Sequence, residues 1–355
     1  MRALPGVTPA AEFYIPGSGF LQDARLRAPR NAEASDKDVE EMSTVYLVVP
    51  CYNEEAVLPE TAAQLTLQLK ELIRTGRADE KSRMLFVDDG SRDATWKIIA
   101  GLGETNPYVC GLKLSRNCGH QNALLAGLTA AKDLADCVIS LDADLQDDVA
   151  ALPEFLDRFH EGKDVVYGVR KSRRTDTAFK RGTAQSYYRL MRFLGVEIVD
   201  NHADYRLMSR RAVEALLSFG EVNLFLRGVV PLVGFASGTV YYDRHERFAG
   251  ESKYPLRKMM AFAADGITSF SVAPLRLIAV IGFFVFLLSL AALVYALISK
   301  LTGNAQAGWA TIVGSVWFIG GVQLLCLGVC GEYIGKIYKE AKHRPRFIVD
   351  RAMIQ

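Results

Sequence analysis

Two long stretches near the C-terminal end of the 355-residue chain contain no charged side chain. They cover residues 277–298 and 305–331. Each exceeds the roughly 20 residues that an α-helix needs to cross a hydrocarbon core of about 30 Å. A short segment whose one charged residue is Lys300 joins them, so we predict a hairpin of two transmembrane helices at 276–335. Buried core helices of a soluble protein are the alternative interpretation.

Basic residues flank this predicted hairpin on both outer sides. They are Arg257, Lys258 and Arg276 before it, and Lys336, Lys339, Lys342, Arg344 and Arg346 after it. The positive-inside rule then predicts that both flanks face the cytoplasm, together with everything N-terminal to the hairpin and a basic tail at 336–355. Residues 254–275 mix basic and apolar side chains at helical spacing. This predicts interfacial amphipathic helices, although packing against the preceding domain is equally compatible.

Short apolar runs alternate with segments of helical length between residues 44 and 253. Runs this short, apolar on both faces, are typical of buried parallel strands. They predict a doubly wound α/β domain, whose ligands bind at the carboxyl ends of the strands. The runs lie at 45–50, 84–88, 109–114, 137–142 and 164–169. Residues 1–43 have no such period, and we predict a flexible N-terminal extension there.

The overall charge excludes a polybasic protein. The chain has 42 Lys+Arg and 40 Asp+Glu, for a formal net charge of +2, so binding of charged ligands must come from local clusters and no nucleic-acid partner is expected. The six cysteines form no CxxC pair and no zinc-finger spacing with histidine. We therefore expect reduced thiols and a reducing compartment.

Adjacent carboxylates close the second apolar run. Asp88 and Asp89 stand at its carboxyl end, where burial of two charges is costly without a ligand. This placement predicts a functional role for both. Asp93, four residues further on, is most simply explained as an N-cap of the next helix.

A second acidic segment follows the fourth run. In an extended conformation, alternation places Asp142, Asp144 and Gln146 on one side. Hard oxygen ligands of this kind suit Mg²⁺ or Mn²⁺, with a bound diphosphate completing the coordination. The alternative is an acidic helix N-terminus, an interpretation that applies best to Asp147 and Asp148.

Basic residues dominate the next segment, at 170–192, where Asp176 is the one acidic residue. Carboxylates alone repel a polyanionic substrate, so a cation and a basic lid are needed to hold one. A solvated helix face, or binding to anionic lipid headgroups, explains the same cluster. Its basic members are Arg170, Lys171, Arg173, Arg174, Lys180, Arg181, Arg189 and Arg192.

Taken in order, seven motifs make the chain similar to a known family. They are VVPCYNEE, FVDDGSRD, SRNCGHQNALLAG, LDADLQDD, GVR, DYRLM and RFAGESKY. The set resembles the family 2 glycosyltransferases of GT-A fold that act on polyprenyl phosphates, and most of all the bacterial bactoprenol glucosyltransferases. Dolichol-phosphate mannosyltransferases and undecaprenyl-phosphate aminoarabinose transferases are similar too. The resemblance runs from about Val45 to Arg346 and implies a GT-A, Rossmann-like domain followed by interfacial and transmembrane helices.

The resemblance also implies roles for individual residues. The donor nucleotide-sugar is expected at Pro50, Tyr52, Glu54, Asp88, Asp89, Asp142 and Ala143. The metal, Mg²⁺ or Mn²⁺, is expected at Asp142, Asp144 and Gln146. The acceptor phosphate is expected at Arg170, Arg181, Arg206, Arg247 and Lys253, and the catalytic residues at Asp142, Arg170 and Lys253. For Asp204 and Arg206, a buried ion pair that holds a strand is an equally good interpretation.

The function implied is transfer of a sugar, glucose in the first instance, from a UDP-sugar to polyprenyl phosphate at the cytoplasmic face of a bacterial inner membrane. A phosphate monoester has a second pKa of about 6, so it is a nucleophile without a strong base, and no histidine is required beside Asp142 and Asp144. One-step displacement predicts inversion. Other donors (UDP-N-acetylhexosamine, UDP-aminoarabinose, GDP-mannose) and a non-catalytic nucleotide- or lipid-binding protein remain alternatives; a homo-oligomer is expected.

Overall fold

The computed structural model describes residues 42–170, 202–221, 226–243, 272–302 and 308–354. Nearly all of the predicted N-terminal extension lies outside the described residues. So do the basic segment beyond Arg170 and the predicted interfacial helices before residue 272.

A mixed sheet forms the centre of the described domain. Its eight strands have the order β7-β5-β6-β4-β1-β2-β3-β8. They are β1 (Val45–Cys51), β2 (Arg83–Asp88), β3 (Val109–Leu114), β4 (Cys137–Ser140), β5 (Val165–Arg170), β6 (His202–Ser209), β7 (Ser237–Tyr242) and β8 (Val349–Met353). Strands β4, β1, β2 and β3 are parallel, and so are β5 and β7. β6 runs antiparallel between β4 and β5, and β8 runs antiparallel along β3.

Helices cover both faces of this sheet, and two longer helices follow. They are α1 (Leu58–Arg74), α2 (Thr95–Thr105), α3 (His120–Ala131), α4 (Leu152–His160), α5 (Arg210–Ser218), α6 (Leu226–Leu232), α7 (Ala273–Leu301) and α8 (Trp309–Ala341). The five predicted strand runs are thus confirmed, as is their alternation with helices.

The alternation of side chains along β1 explains the layered arrangement. Val45, Leu47 and Val49 pack in one hydrophobic cluster with α1 and α4, whereas Tyr46 and Val48 pack in another with α3 and α5. All seven residues of β1 are buried. Full burial of an aliphatic side chain is worth about 1.5–3 kcal/mol, so a central strand that is apolar on both faces is strongly favoured here.

Helices α7 and α8 correspond to the predicted transmembrane hairpin. Both are long and apolar enough to cross a membrane, with mean hydropathy 2.3 over Pro274–Ala291 and 1.6 over Gly314–Ala341. Neither window is buried against the rest of the protein. Within the described residues these helices are therefore not buried in the core of the domain, which favours the transmembrane interpretation.

The C-terminal segment differs from the basic tail predicted at 336–355. Helix α8 continues to Ala341, and β8 then pairs with β3 at the edge of the sheet. There Asp350 Oδ2 lies 3.8 Å from Lys113 Nζ. Between α8 and β8, Arg346 donates a 2.5 Å hydrogen bond to the carbonyl oxygen of Phe219, and Phe347 packs on a core cluster. The end of the predicted hairpin is thereby attached to the α/β domain.

Candidate active site

The carboxyl ends of the parallel strands bring the predicted site residues to one edge of the sheet. Loops after β1, β2, β3 and β4 meet there, together with the ends of β5 and β7. Because β6 is antiparallel, its beginning lies at the same edge and contributes Asp204.

The loops after β1 and β2 are linked to each other by hydrogen bonds. The backbone N–H of Asn53 donates to Ser91 Oγ at 3.0 Å, and its side-chain oxygen accepts from the N–H of Arg92 at 2.9 Å. The N–H of Glu54 donates to Thr95 Oγ1 at 2.9 Å. Asn53 has φ +56°, a left-handed conformation that asparagine tolerates. Within this linked loop Tyr52 is 40% exposed, whereas Pro50 is buried in β1.

Asp88 and Asp89 are both buried but have different partners. Asp88 Oδ1 accepts from the N–H of Ser91 at 3.0 Å, while its Oδ2 is buried without a hydrogen-bond partner. A buried polar atom left unpaired costs about 1–3 kcal/mol, which favours the predicted ligand-binding role for Asp88. Asp89 instead accepts from the N–H groups of Cys118 and Gly119, at 2.7 and 2.9 Å, and so holds the start of α3.

Gly90 permits the turn that follows these two aspartates. Its φ is +66°, and a Cβ at this position would lie 2.5 Å from a backbone carbon of Arg116. The glycine therefore allows the loops after β2 and β3 to approach closely.

Asp93 and Asp148 each accept backbone N–H groups near the start of a helix. Asp93 accepts from the N–H groups of Thr95 at 3.0 Å and Glu55 at 3.2 Å, at the start of α2. Asp148 accepts from the N–H of Ala150 at 2.9 Å, at the start of the short 3₁₀ helix before α4. The capping interpretation is confirmed for Asp148, whereas the N-cap of α2 is Ala94 and Asp93 lies one residue before it.

The predicted metal-binding segment is not extended. β4 ends at Ser140, the chain turns at Ala143, and Leu145 has φ +53°. The alternation argument for Asp142, Asp144 and Gln146 is therefore wrong in its geometry. In this turn Asp144 accepts from the N–H of Gln146 at 3.2 Å, and the Asp142 side chain is 38% exposed. Ala143 is buried, and its carbonyl oxygen accepts from Thr61 at 2.7 Å.

Asp147 is a buried partner of Tyr242 and not a helix cap. The Tyr242 hydroxyl donates to Asp147 Oδ1 at 2.6 Å, and Asp147 Oδ2 is buried without a hydrogen-bond partner. Burial and the charge of Asp142 raise the pKa of Asp147 to about 6, against the effect of the Tyr242 hydrogen bond. Arg170 completes the group, with Nε 3.4 Å from the Tyr242 oxygen and Nη2 3.9 Å from Asp147 Oδ1.

A second polar group surrounds Asp204 at the start of β6. Arg206 Nη2 donates to it at 2.9 Å, and Arg227 donates through Nε at 3.3 Å and Nη2 at 3.0 Å. Burial raises the pKa of Asp204, but the charges of Arg227 and Arg206 outweigh burial and hold that pKa well below its usual range. Asp204 is therefore ionised throughout the physiological range.

His120, the first residue of α3, lies between the two acidic positions. Its Nε2 is 3.6 Å from Asp142 Oδ1 and 3.9 Å from Asp204 Oδ2. The sequence argument required no histidine here, because the acceptor needs no strong base. The structure nevertheless brings one beside Asp142.

The structure favours the ion-pair interpretation of Arg206. Its side chain is 1% exposed and pairs with Asp204 inside the domain. The other predicted phosphate-binding residues divide by location. Arg170 is at the sheet edge, whereas Arg181, Arg247 and Lys253 lie outside the described residues.

The donor atoms at this edge fit a divalent cation that shares its coordination with a substrate. In the described part of the chain, no three His, Cys, Asp or Glu side chains converge as a complete metal site. Asp142, Asp144 and the Gln146 amide carry oxygen donors of the type that Mg²⁺ and Mn²⁺ prefer, and a substrate diphosphate would have to complete the coordination.

Sequence reasoning missed three residues of this edge: His120, Arg227 and Tyr242. His120 is inside the motif SRNCGHQNALLAG, and its place at the start of the helix that follows β3 was a usable signal. No local sequence pattern indicates that Arg227 pairs with Asp204, or that Tyr242 pairs with Asp147.

A mixed sheet of this topology, with carboxylates and arginines gathered at its carboxyl edge, belongs to the glycosyltransferases of GT-A fold. Residues 46–217 match the model of glycosyl transferase family 2, and residues 273–337 match that of the GtrB C-terminal hairpin. The chain is a glycosyltransferase and belongs to family 2, as its motifs predicted.

Curated relatives cover most of the chain. The uncharacterized glycosyltransferase YkoT of Bacillus subtilis is 55% identical over 304 residues, which are 86% of this chain and 90% of that one. The bactoprenol glucosyl transferase of Shigella phage SfV is 40% identical over 307 residues, 86% of this chain and 97% of that one.

Among solved structures, the mannosyltransferase PcManGT of Pyrobaculum calidifontis, in complex with GDP-Man and Mn²⁺, has a TM-score of 0.41. It is 14% identical, with 90% of this chain and 92% of that one covered. A likeness this low carries no argument about the site.

Proposed function

We propose that this protein transfers glucose from UDP-glucose to a polyprenyl phosphate, undecaprenyl phosphate being the natural candidate. Relatives named bactoprenol glucosyl transferases, about 40% identical over nearly their whole length, support the sugar and the lipid acceptor. The C-terminal hairpin match and two apolar helices support action at a membrane.

The observation that carries the proposal is the joint position of Asp142, Arg170 and Arg227 at one sheet edge. Asp142 is half-buried in the turn after β4, Arg170 ends β5, and Arg227 pairs with Asp204 beside them. Acidic groups able to hold a cation and basic groups able to hold phosphate therefore stand together. A protein that only binds a nucleotide has no need of both sets.

The donor nucleotide is proposed to lie along the linked loops after β1 and β2, near Pro50, Tyr52 and Glu54. Asp88, with its unpaired buried oxygen, and Asp89 border the same loops. Asp142, Ala143, Asp144 and Gln146 would face the diphosphate. A cation held there would stabilise the negative charge that grows on departing UDP.

The protein's own residues then have mainly electrostatic and positioning tasks. Near neutral pH the acceptor phosphate is mostly dianionic, since its second pKa is about 6. Arg170, held by Tyr242 and Asp147, would orient charged oxygens, and Lys253 and Arg247 would add positive charge. Displacement in one step yields a β-linked glucosyl lipid from the α-linked donor.

The basic flanks of the hairpin support a cytoplasmic position for the catalytic domain, in a bacterial inner membrane. A homo-oligomer remains our expectation for the assembly.

Transfer is tested with the purified full chain in detergent, UDP-glucose, Mn²⁺ or Mg²⁺ and undecaprenyl phosphate. We expect UDP and glucosyl lipid to appear in equal amounts, and both to disappear after exhaustive chelation. UDP-N-acetylglucosamine, UDP-aminoarabinose and GDP-mannose run in parallel identify the donor. Absence of transfer with every donor would contradict the proposal and favour the alternative of a non-catalytic protein that binds nucleotide or lipid.

Asp144→Asn tests the metal ligand in the same assay. We expect at least a hundredfold loss of metal-dependent turnover with unchanged folding, because one anionic ligand is lost. Asp133→Asn is the matched control, since the Asp133 carboxylate is 75% exposed on the surface. Equal turnover of the two variants would contradict the metal assignment.

A further inference from the structure

Asp204 holds two arginines that differ in exposure. Arg206 is 1% exposed, whereas the Arg227 side chain is 36% exposed. Arg227 contacts both carboxylate oxygens of Asp204, through Nε and Nη2. This two-point contact fixes the plane of its guanidinium. Arg206 therefore neutralises Asp204 inside the domain, and Asp204 orients Arg227 at the surface of the site.

Arg227 also lies close to the groups proposed to react. Arg227 holds Asp204, whose Oδ2 is 3.9 Å from His120 Nε2, and the same nitrogen is 3.6 Å from Asp142 Oδ1. Arg170, in contact with Tyr242 and Asp147, ends β5 at the same edge of the sheet. Two cations at one site edge are well placed to share an anion.

The segment that returns from the membrane hairpin contacts the same region. Phe347 packs on the large hydrophobic cluster to which α3, α5 and α6 all contribute, and Arg346 donates to the carbonyl oxygen of Phe219, the residue that follows α5. Six residue steps join the end of α8 at Ala341 to Phe347, and they span at most about 20 Å when extended. The cluster to which α6 contributes is thus joined by a short segment to the end of an apolar helix that we assign to the membrane.

We propose that Arg227 binds the phosphate of the lipid acceptor, a phosphate monoester carried on a polyprenyl chain. This inference rests on the proposed function and adds a residue to its acceptor side. It assigns the phosphate-binding role to Arg227 in place of Arg206, because Arg206 is buried while both arginines pair with Asp204. Arg170 and Arg227 would then contact the same phosphate, and the buried Arg206 would keep Asp204 in place.

Binding to farnesyl phosphate, a short polyprenyl phosphate, tests the inference without any transfer step. The purified full chain is titrated in detergent by calorimetry, with farnesol and inorganic phosphate as separate ligands. We expect Arg227→Ala to weaken farnesyl phosphate binding about tenfold or more, since a charge-assisted hydrogen bond is lost. UDP-glucose binding should change less than twofold.

Two further variants separate charge from folding. Arg227→Gln retains an amide that can donate to Asp204 and removes the charge, so it should weaken binding as Arg227→Ala does. Arg211→Ala is the matched control. Arg211 lies on α5, is 66% exposed, and pairs with an aspartate, Asp164, as Arg227 does. This variant should leave both affinities unchanged.

Equal farnesyl phosphate affinity of wild type and Arg227→Gln would overturn the inference, as would absence of binding by the wild type. Equal weakening for farnesol would also overturn it, since the lost contact would not be to phosphate. Inorganic phosphate binding that matches farnesyl phosphate binding would show a free-phosphate site and not a lipid-acceptor site, which overturns it too. If the wild type binds farnesyl phosphate through Arg227 but transfers no glucose, the proposed function fails while this inference stands.

Discussion

The hydroxyl of Tyr242, at the end of β7, donates a 2.6 Å hydrogen bond to the buried carboxylate of Asp147. The same oxygen lies 3.4 Å from Arg170 Nε. One phenol thus joins an acidic loop after β4 to a basic residue at the end of β5, and the position of Arg170 depends on it.

Tyr242→Phe removes this contact. We expect the free energy of unfolding to fall by about 1–3 kcal/mol, because a buried carboxylate loses its donor, and transfer to fall as Arg170 loses its support. Chemical unfolding in detergent and the glucosyl-lipid assay measure the two effects. Tyr241→Phe is the matched control, since Tyr241 is 54% exposed on the same strand. If both variants behaved like the wild type, the contact would have no role.

Asp89→Asn tests whether this residue supports α3 or binds the nucleotide alone. Both carboxylate oxygens of Asp89 accept backbone N–H groups. In the asparagine variant the side-chain NH₂ would face one of these N–H groups, so that two donors would meet without an acceptor. We expect a loss of about 1–3 kcal/mol in the free energy of unfolding, in addition to weaker UDP-glucose binding. Asp79→Asn, whose carboxylate accepts from Lys81 N–H in a surface turn, serves as control. Weaker binding at unchanged stability would favour a purely ligand-binding role.

Asp164 predicts a pH dependence of stability far from the proposed site. Hydrogen bonds from Arg211 and Ser209 lower its pKa against the effect of burial. The ionised group therefore stabilises the folded state above the ordinary aspartate pKa of 3.8, and this stabilisation is lost as the pH falls below it.

Asp164→Asn should thus cost on the order of 1 kcal/mol at pH 7. The difference from wild type should stay constant down to about pH 5 and shrink below pH 4. Unfolding curves at four pH values test this. A difference that persisted unchanged at pH 3 would mean that packing, and not charge, is responsible.

Removal of β8 by truncation after Ile348 should destabilise the domain and promote aggregation. The deletion leaves the edge of β3 unpaired, and exposed edges pair with other chains. We expect a Tm several degrees lower and larger particles in size-exclusion chromatography. Truncation after Met353, which keeps β8 complete, is the control. Equal behaviour of the two truncations would assign β8 no stabilising role.

The central strands and their helices were predictable because burial on both faces leaves a strong local pattern. β1 is an example, since all of its residues are apolar and buried. β8 was not predictable in this way. Its residues Val349–Met353 are mostly exposed and include Asp350 and Arg351, so its strand conformation comes from pairing with β3, a long-range contact that composition does not encode.

The site was predictable where a side chain follows a recognised strand end, as Asp88 and Asp142 do. It was not predictable where the chain arrives from far away. Arg227 comes to Asp204 from 23 positions along the sequence, and Tyr242 comes to Asp147 from 95. The predicted geometry of residues 142–146 was wrong for a local reason, since the left-handed Leu145 ends the alternation that an extended strand would give.

The short segment between α8 and β8 limits the distance between the catalytic domain and the surface of a bilayer that α8 would span. Eight residue steps join Ala341 to Val349, at most about 27 Å of chain. Under the proposed function, the polyprenyl tail of the acceptor would then stay among the lipid tails while its phosphate reaches the sugar donor. The acceptor would arrive by lateral diffusion within the leaflet, and transfer of its hydrocarbon chain into water would not be needed.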